Sequence, residues 1–147
     1  MKELVIEIPG LVPEPVTVAL KADLTISEDL EREVKCTPSQ FGYYAVLSEK
    51  AESRYRRCKL GFDLWRSEAE DDLEAQQRVE TGKGFSKVKD LTRLIMRQPK
   101  YRAYMLKLDE YEEHARILKK VAEAFAHKKD LVQTICSNRR SEMKGGS

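Results

Sequence analysis

The chain has 147 residues, of which 35% are charged and 7% aromatic, and its formal net charge is +2. This length allows one domain, or one domain with an appendage, and the high charge with few glycines and prolines favours long helices over a catalytic α/β domain. A net charge this small excludes any argument for nucleic-acid binding from overall charge, so such an argument depends on where the charges lie.

The cysteines and the N-terminus point to a reducing compartment. Cys36, Cys58 and Cys136 form no close pair in the sequence, which predicts reduced thiols and neither a disulfide framework nor a metal site. The first residues lack a signal-peptide pattern, and no apolar run approaches the length of a membrane span. These features predict a cytoplasmic protein that does not enter a membrane.

The N-terminal segment predicts a small β-hairpin. Residues 3–8 and 16–20 are rich in β-branched side chains, and the residues between them include three prolines and a glycine, which favour a turn. Two strands alone are marginally stable in water. The hairpin is therefore expected either to dock on the helices or to pair with another copy of the chain, and the sequence leaves both alternatives open.

Two helical segments follow the hairpin. Residues 25–35 carry an acidic face and predict a short lead helix with Ser27 as its cap. A long helix is predicted over residues 37–80, where Thr37 is the cap, Pro38 the first helical residue and Gln40 the partner of the cap. Its apolar positions alternate in steps of three and four, as in the seam of a coiled coil; they are Phe41, Tyr44, Ser48, Ala51, Tyr55, Cys58, Phe62, Trp65 and Ala69.

A turn and two more helices complete the chain. Residues 81–85 contain two glycines and predict a turn. Ser86 is expected to cap a short helix over residues 87–97, whose apolar face carries Val88, Leu91, Leu94 and Ile95. Pro99 then opens a second long helix that runs to about Asn138. Its seam again steps three and four: Tyr101, Tyr104, Leu108, Tyr111, Ala115, Leu118, Ala122, Phe125, Lys129, Val132 and Cys136.

The two long helices predict the fold. A helix of residues 37–80 is roughly 65 Å long, at about 1.5 Å per residue, and needs a second long helix to cover its seam. The predicted fold is mainly α: a long antiparallel, coiled-coil-like helical hairpin, a short intervening helix and a small N-terminal β-hairpin. The predicted division is an arm of residues 1–22, a helical domain of residues 23–140 and a flexible tail of residues 141–147. The length of seam and the open strand edges also predict a homo-oligomer.

The strongest charge asymmetry begins at the turn and continues into the second long helix. Residues 83–107 contain eight bases against one acid, a local charge of +7, and Tyr101 and Tyr104 lie among these bases. Proteins that bind single-stranded nucleic acid use cations to contact the phosphates and aromatic rings to stack on the nucleobases. An alternative interpretation has equal weight: the tyrosines belong to the seam, and the bases pair with the acidic block of the first long helix, which consists of Glu68, Glu70, Asp71, Asp72 and Glu74.

The sequence contains no pattern typical of catalysis. Glu110 and His114 share a helix face, but one such pair is a weak metal signal. No nucleophile and base occur at a spacing that supports nucleophilic chemistry. The chain is therefore predicted to be a non-enzyme without a metal or cofactor.

Residues 25–140 combine an order of elements with several short motifs. An acidic lead helix is followed by a proline-started long helix, a Gly-Lys turn, a short helix and a last long helix. The motifs are Pro38-Ser39-Gln40-Phe41-Gly42-Tyr43-Tyr44, Leu73-Glu74-Ala75 with Arg78, Ser86-Lys87-Val88, Gln98-Pro99-Lys100-Tyr101, and Ala124 with His127-Lys128-Lys129-Asp130-Leu131. This order and these motifs resemble the UvsY-like phage recombination mediators, and the hairpin of residues 1–20 lies outside the resemblance.

The resemblance implies a ring-forming helical protein that binds single-stranded DNA and helps to load a RecA-like recombinase onto strands covered by single-strand-binding protein, in DNA recombination and repair. The family's Leu-Lys-Ala-Arg-Leu contact motif is Leu73-Glu74-Ala75-Gln76-Gln77 in this chain and lacks both cations. The nucleic-acid-binding candidates are therefore Arg78, Lys83, Lys87, Lys89, Arg93, Arg97, Lys100 and Arg102. The alternative function is a helical scaffold or adaptor that binds only protein partners.

Overall fold

The computed structural model describes residues 4–145, which form two short strands and four helices. Two compact units divide the described chain: unit 1 consists of residues 4–51 and 114–145, and unit 2 consists of Glu52–Glu113. The elements in chain order are β1 (Val5–Ile8), β2 (Val16–Ala19), α1 (Leu20–Leu24), α2 (Leu30–Thr81), α3 (Val88–Met96) and α4 (Pro99–Gly145). Within residues 4–145, no helix combines the length and apolar character that crossing a membrane requires.

The predicted mainly α fold with an antiparallel pair of long helices is confirmed. In unit 1 the ring of Tyr44 stacks on Phe125, with centroids 4.7 Å apart, and the ammonium of Lys129 lies 4.8 Å from the ring centre of Phe41. Residue numbers rise along α2 as they fall along α4, so the two helices run antiparallel. The predicted seam positions on both helices are all buried or half-buried, because steps of three and four keep one face of each helix toward the other.

The β-hairpin is docked on the helices of unit 1. β1 and β2 pair antiparallel, with Ile8 opposite Val16 and Ile6 opposite Val18. Ile8, Val16 and Val18 are at most 3% exposed and belong to the same core cluster as Tyr44 and Phe125. Of the two arrangements that the sequence left open, the described chain therefore has the docked one. Residue 3 of the predicted first strand lies outside the described residues.

The start of α2 differs from the prediction. Residues 30–81 form one helix with Pro38 inside it, whereas a lead helix and a separate helix beginning at Thr37 were expected. The cap is Asp29 and not Ser27, since Asp29 Oδ1 accepts the backbone N–H of Arg32 at 3.1 Å. An interior proline removes a helical hydrogen bond and disfavours the helix by about 3 kcal/mol. Tertiary burial on both sides of Pro38 offsets this.

Thr37 contributes to that burial. It is fully buried, and its hydroxyl donates a hydrogen bond to Glu33 Oε2 at 2.9 Å. The hydroxyl that was expected to cap a helix is thus an interior donor to a carboxylate one turn earlier. At the other end of the chain, α4 continues beyond Asn138 to Gly145. Residues 146–147 of the predicted tail lie outside the described residues.

A buried ion pair joins three helices of unit 1. Lys128 of α4 is 6% exposed, and its Nζ lies 3.1 Å from Oε2 of Glu33, whose side chain is 12% exposed. The same ammonium donates to the backbone oxygen of Asp23 in α1 at 2.8 Å. Burial raises the pKa of Glu33, but hydrogen bonds from the Ser27 backbone N–H, Lys128 and Thr37 outweigh it and hold the pKa below its ordinary value of 4.5.

Breaking this pair from one side should destabilise the protein strongly. Lys128→Met is expected to lower the free energy of unfolding by about 3–5 kcal/mol, because it leaves the Glu33 carboxylate buried without its cation. Urea unfolding followed by circular dichroism measures the change. The matched control is Lys120→Met, which breaks an ion pair with Glu123 at a lysine side chain that is 80% exposed, and should change it by less than about 1 kcal/mol. Equal losses in the two variants would contradict a buried pair.

The lowered pKa of Glu33 predicts a pH dependence. A depressed carboxyl pKa contributes stability above the unfolded value of 4.5, and that contribution is lost as the pH falls through the lower folded value. Wild type should therefore be more stable than Glu33→Gln at neutral pH, and the difference should shrink as the pH falls below 4.5 and through the lowered pKa. Urea titrations of both proteins across this range measure it. A difference that stays constant with pH would rule out the ionised Glu33 as its source.

Candidate nucleic-acid interface

The end of α2 is set by a glycine and a threonine. Gly82 has φ of +74°, the left-handed conformation, and its backbone N–H donates to the carbonyl of Arg78 at 2.8 Å. The hydroxyl of Thr81 lies 2.7 Å from the carbonyl of Gln77. A glycine in this conformation after the last helical residue is a common way to end a helix. Helix α2 therefore ends at Thr81, just before the basic run that starts at Lys83. This agrees with the turn that the two glycines predicted.

The turn after α2 is held against the helix by Glu74. Its carboxylate accepts the backbone N–H of Phe85 at 3.4 Å. A Cβ added to Gly84 would lie 2.5 Å from Glu74 Oε2, so a larger residue here would displace the Glu74 carboxylate. The sequence pattern indicated only that Glu74 belongs to the acidic block. A contact across eleven residues between a helix and a turn leaves no periodic signal in the sequence.

Helix α3 presents its bases to solvent and its apolar side to unit 2. Lys89, Arg93 and Arg97 follow at intervals of four and are exposed. On the opposite side, Leu91 is half-buried and Ile95 is 1% exposed. The predicted opposition of a basic and an apolar face is present at these positions.

Two details of α3 differ from the prediction. The N-cap position is Lys87 and makes no side-chain capping bond, so Ser86 does not cap the helix. Val88 and Leu94, both expected on the apolar face, are 81% and 37% exposed, because the covered side of α3 is narrow and holds only Leu91 and Ile95 of the four predicted positions. These differences leave the basic face unchanged.

The tyrosines of the basic run pack in an aromatic cluster of unit 2. The ring of Phe62 meets Tyr101 and Tyr104 edge-on, with centroid distances of 5.8 Å and 5.7 Å. Trp65 lies 5.7 Å from the same Tyr104. Both tyrosines are half-buried. They therefore serve the seam between α2 and α4, which is the role that the alternative interpretation of the sequence gave them.

Arg54 has a similar structural role. Its guanidinium lies 4.2 Å from the ring centre of Tyr111, a cation–π contact across the seam. This arginine belongs to a basic stretch of α2 that contains no acid, yet it is half-buried. It is therefore turned toward the helix pair and does not extend the run of exposed cations in residues 83–107.

All eight predicted contact residues are exposed to solvent. Within residues 4–145, none of their side chains makes a salt bridge or hydrogen bond. The acidic block does not neutralise them: Glu70 pairs with Arg66 at 3.1 Å, and Glu74 accepts the N–H of Phe85. We call these eight side chains the basic surface; they are Arg78, Lys83, Lys87, Lys89, Arg93, Arg97, Lys100 and Arg102.

The chemistry available to the basic surface is electrostatic. Exposed lysines and arginines neutralise phosphates without reading the bases, and the released counterions make such binding steeply salt-dependent. The aromatic rings of Tyr101 and Tyr104 are engaged in packing, so they are not available to stack on nucleobases.

Lys107, exposed on α4, belongs to the same basic run but is not among the predicted contact residues. Among the described residues, no group of three or more His, Cys, Asp and Glu side chains is placed to hold a metal ion.

The glycine that ends α2 should tolerate substitution poorly. Gly82→Ala is expected to lower the free energy of unfolding by about 1 kcal/mol, because alanine is strained at positive φ. Gly42→Ala is the matched control: Gly42 lies inside α2, and a Cβ there meets no atom within 4 Å. It should raise the free energy of unfolding by about 0.5–1 kcal/mol, since alanine favours helix. Thermal unfolding measures both; shifts of the same sign would refute the conformational argument.

Comparisons of the chain with family models, with curated proteins and with solved structures found no match. The resemblance to UvsY-like mediators therefore stays a prediction that rests on the residues quoted for it. A function for the chain has to be argued from the basic surface and its surroundings.

Proposed function

We propose that the protein is a non-catalytic recombination mediator that binds single-stranded DNA. It would help to load a RecA-like recombinase onto strands covered by single-strand-binding protein. The observation that carries the proposal is the basic surface: eight exposed cations in a short part of unit 2 that have no ion-pair partner within residues 4–145. The order of helices and the resemblance to UvsY-like mediators support it. The proposed location is the cytoplasm, that of the host cell if a phage encodes the chain.

The proposed contact is with the phosphate backbone. Binding of a polyanion to unpaired surface cations costs little free energy, because no internal salt bridge must first be broken. Each phosphate neutralised on a single strand contributes about −0.7 to the slope of log affinity against log salt. A strand that engages five of the eight cations would therefore give a slope of about −3.5. Binding of this kind is tolerant of sequence, as a mediator requires.

The contact is displaced along the chain from the position of the family's motif. Leu73 and Glu74 are half-buried, and Glu74 is occupied by the backbone of the following turn. The cations begin one turn later, at Arg78, and continue through α3. We propose that this turn and α3 take the role that the Leu-Lys-Ala-Arg-Leu motif has in the family's type member.

Assembly would multiply the contact. One copy with a few phosphate contacts binds weakly, but several copies in a homo-oligomer, for which the resemblance implies a ring, would bind one strand with a high effective concentration. A strand held by several copies would be kept open for the recombinase. Neither step requires catalysis.

A protein-binding scaffold is the second candidate, and one observation favours it. Glu68, Asp71 and Asp72 of the acidic block are exposed and make no salt bridge within the described chain. Acidic and basic surfaces that are both unpaired could pair between copies. Under this alternative the basic surface is buried against the acidic block of another copy and does not bind DNA.

The test is charge reversal on α3. The variant Lys89→Glu, Arg93→Glu, Arg97→Glu should weaken binding of a fluorescent single-stranded oligonucleotide at least tenfold, and should make the salt slope shallower by about 2, because three phosphate contacts are lost. Fluorescence anisotropy over a salt series measures both quantities. Far-UV circular dichroism should be unchanged, since all three side chains are exposed.

The matched control carries the same change of charge away from the basic surface. Lys50→Glu, Arg116→Glu, Lys119→Glu replaces three exposed cations of unit 1 and should retain most of the affinity. Equal weakening in the two variants would indicate an effect of net charge alone. No binding by the wild type at low salt would refute the mediator proposal. Loss of oligomers in the α3 variant, measured by sedimentation, would then favour the scaffold.

A further inference from the structure

A cleft of about 770 Å³ opens on unit 1 beside the buried ion pair. It is lined by α1, by the segment that follows α1, by the first turns of α2 and by Lys128 of α4. This volume lies within the range of about 300–1,000 Å³ that small-molecule sites occupy. The basic surface belongs to unit 2, so the cleft has no part in the proposed DNA contact.

The carboxylates of the cleft are already engaged. Glu33 Oε1 accepts the backbone N–H of Ser27 at 3.2 Å, and its Oε2 accepts Thr37 and Lys128. Asp23 Oδ2 accepts the backbone N–H of Ala19 at 3.0 Å. Both carboxylates thus bind donors of the protein itself, and three of their four oxygens are engaged.

The cations of the cleft have unused donors. The ammonium of Lys128 has three N–H groups, and within residues 4–145 it has two acceptors, Glu33 and the carbonyl of Asp23. The side chains of Lys21 and Arg32 are exposed and make no salt bridge or hydrogen bond with any described residue. Most of the unused hydrogen-bonding capacity of the charged groups lining the cleft is therefore on the three cations.

We propose that this cleft binds a small phosphate-bearing anion. Arg32 and Lys21 would hold the phosphate oxygens at the opening, and the remaining N–H of Lys128 would hold one from the interior. A phosphate suits this lining because it carries several acceptor oxygens for the unused donors of Lys21, Arg32 and Lys128, and a guanidinium pairs well with it. The cleft has room for an organic group as well, so inorganic phosphate and a nucleoside monophosphate are the two probes.

The test is a titration of the isotopically labelled full chain, followed by amide NMR. Inorganic phosphate and adenosine monophosphate are added separately at constant ionic strength, with sodium chloride as the reference. Saturable shifts are expected for the backbone amides near Cys36 and Gln40, which line the cleft. Saturation by both probes, or by one of them, supports the site and identifies whether the organic group is tolerated or required.

Two variants distinguish the cleft from general attraction. Arg32→Gln should weaken binding at least tenfold, because it removes the guanidinium from the opening. Lys35→Gln is the matched control: Lys35 is exposed on the same helix, pairs with Glu31 and does not line the cleft, so its affinity should stay within twofold of wild type.

Three results would overturn the proposal: no saturable shift with either probe, equal weakening in both variants, or shifts that map to residues 83–102. The proposed DNA contact is independent of this result, since Arg32→Gln leaves every residue of the basic surface unchanged. Oligonucleotide affinity of that variant should therefore equal that of wild type. A failure of either proposal can be recognised without the other.

Discussion

The buried contact between Lys128 and Glu33 is the constraint on which unit 1 depends. A charged side chain that is nine-tenths buried is tolerated only with a partner, so α4 must present Lys128 where α2 presents Glu33. The same ammonium binds the carbonyl of Asp23, which ties α1 to the pair. Thr37 completes the carboxylate's hydrogen bonds from one turn along α2. The helix continues through Pro38 because α4 holds it on both sides of the proline: Lys128 pairs with Glu33, and the ammonium of Lys129 lies over the ring of Phe41.

Unit 2 separates structural side chains from those available to a partner. The aromatic rings of residues 62, 65, 101 and 104 pack on one another, and the guanidinium of Arg54 covers another ring. The acidic residues nearest the basic run are partly used, since Glu74 holds the turn and Glu70 pairs with Arg66. The cations of the turn and α3 are exposed to solvent and have no ion-pair partner among residues 4–145. A surface of unpaired cations on a rigid helical support is what binding to a polyanion requires.

The two cationic sites of the chain differ in a way that suits different ligands. The basic surface is open and extended, with its charges spread along a turn and a helix, and it has room for a strand. The cleft of unit 1 is concave, has one buried ammonium and two exposed cations, and has room for a molecule of small size. Burial is the physical difference: the buried donor of Lys128 is screened less by salt than the exposed cations of the basic surface.

The sequence by itself determined that two long helices form, because their seam recurs in steps of three and four, and local signals placed the end of α2 and the start of α4. Pro99 opens α4, and Gly82 follows the last residue of α2, as local chemistry predicts. The exposure of the bases on α3 also followed from their spacing of four. Tertiary structure alone decided that α2 continues through Pro38, that the hairpin docks on the helices, that Lys128 is buried and that the basic surface remains unpaired. The reason is the separation of the partners: Lys128 and Asp23 are 105 residues apart, and no periodic pattern encodes such a contact.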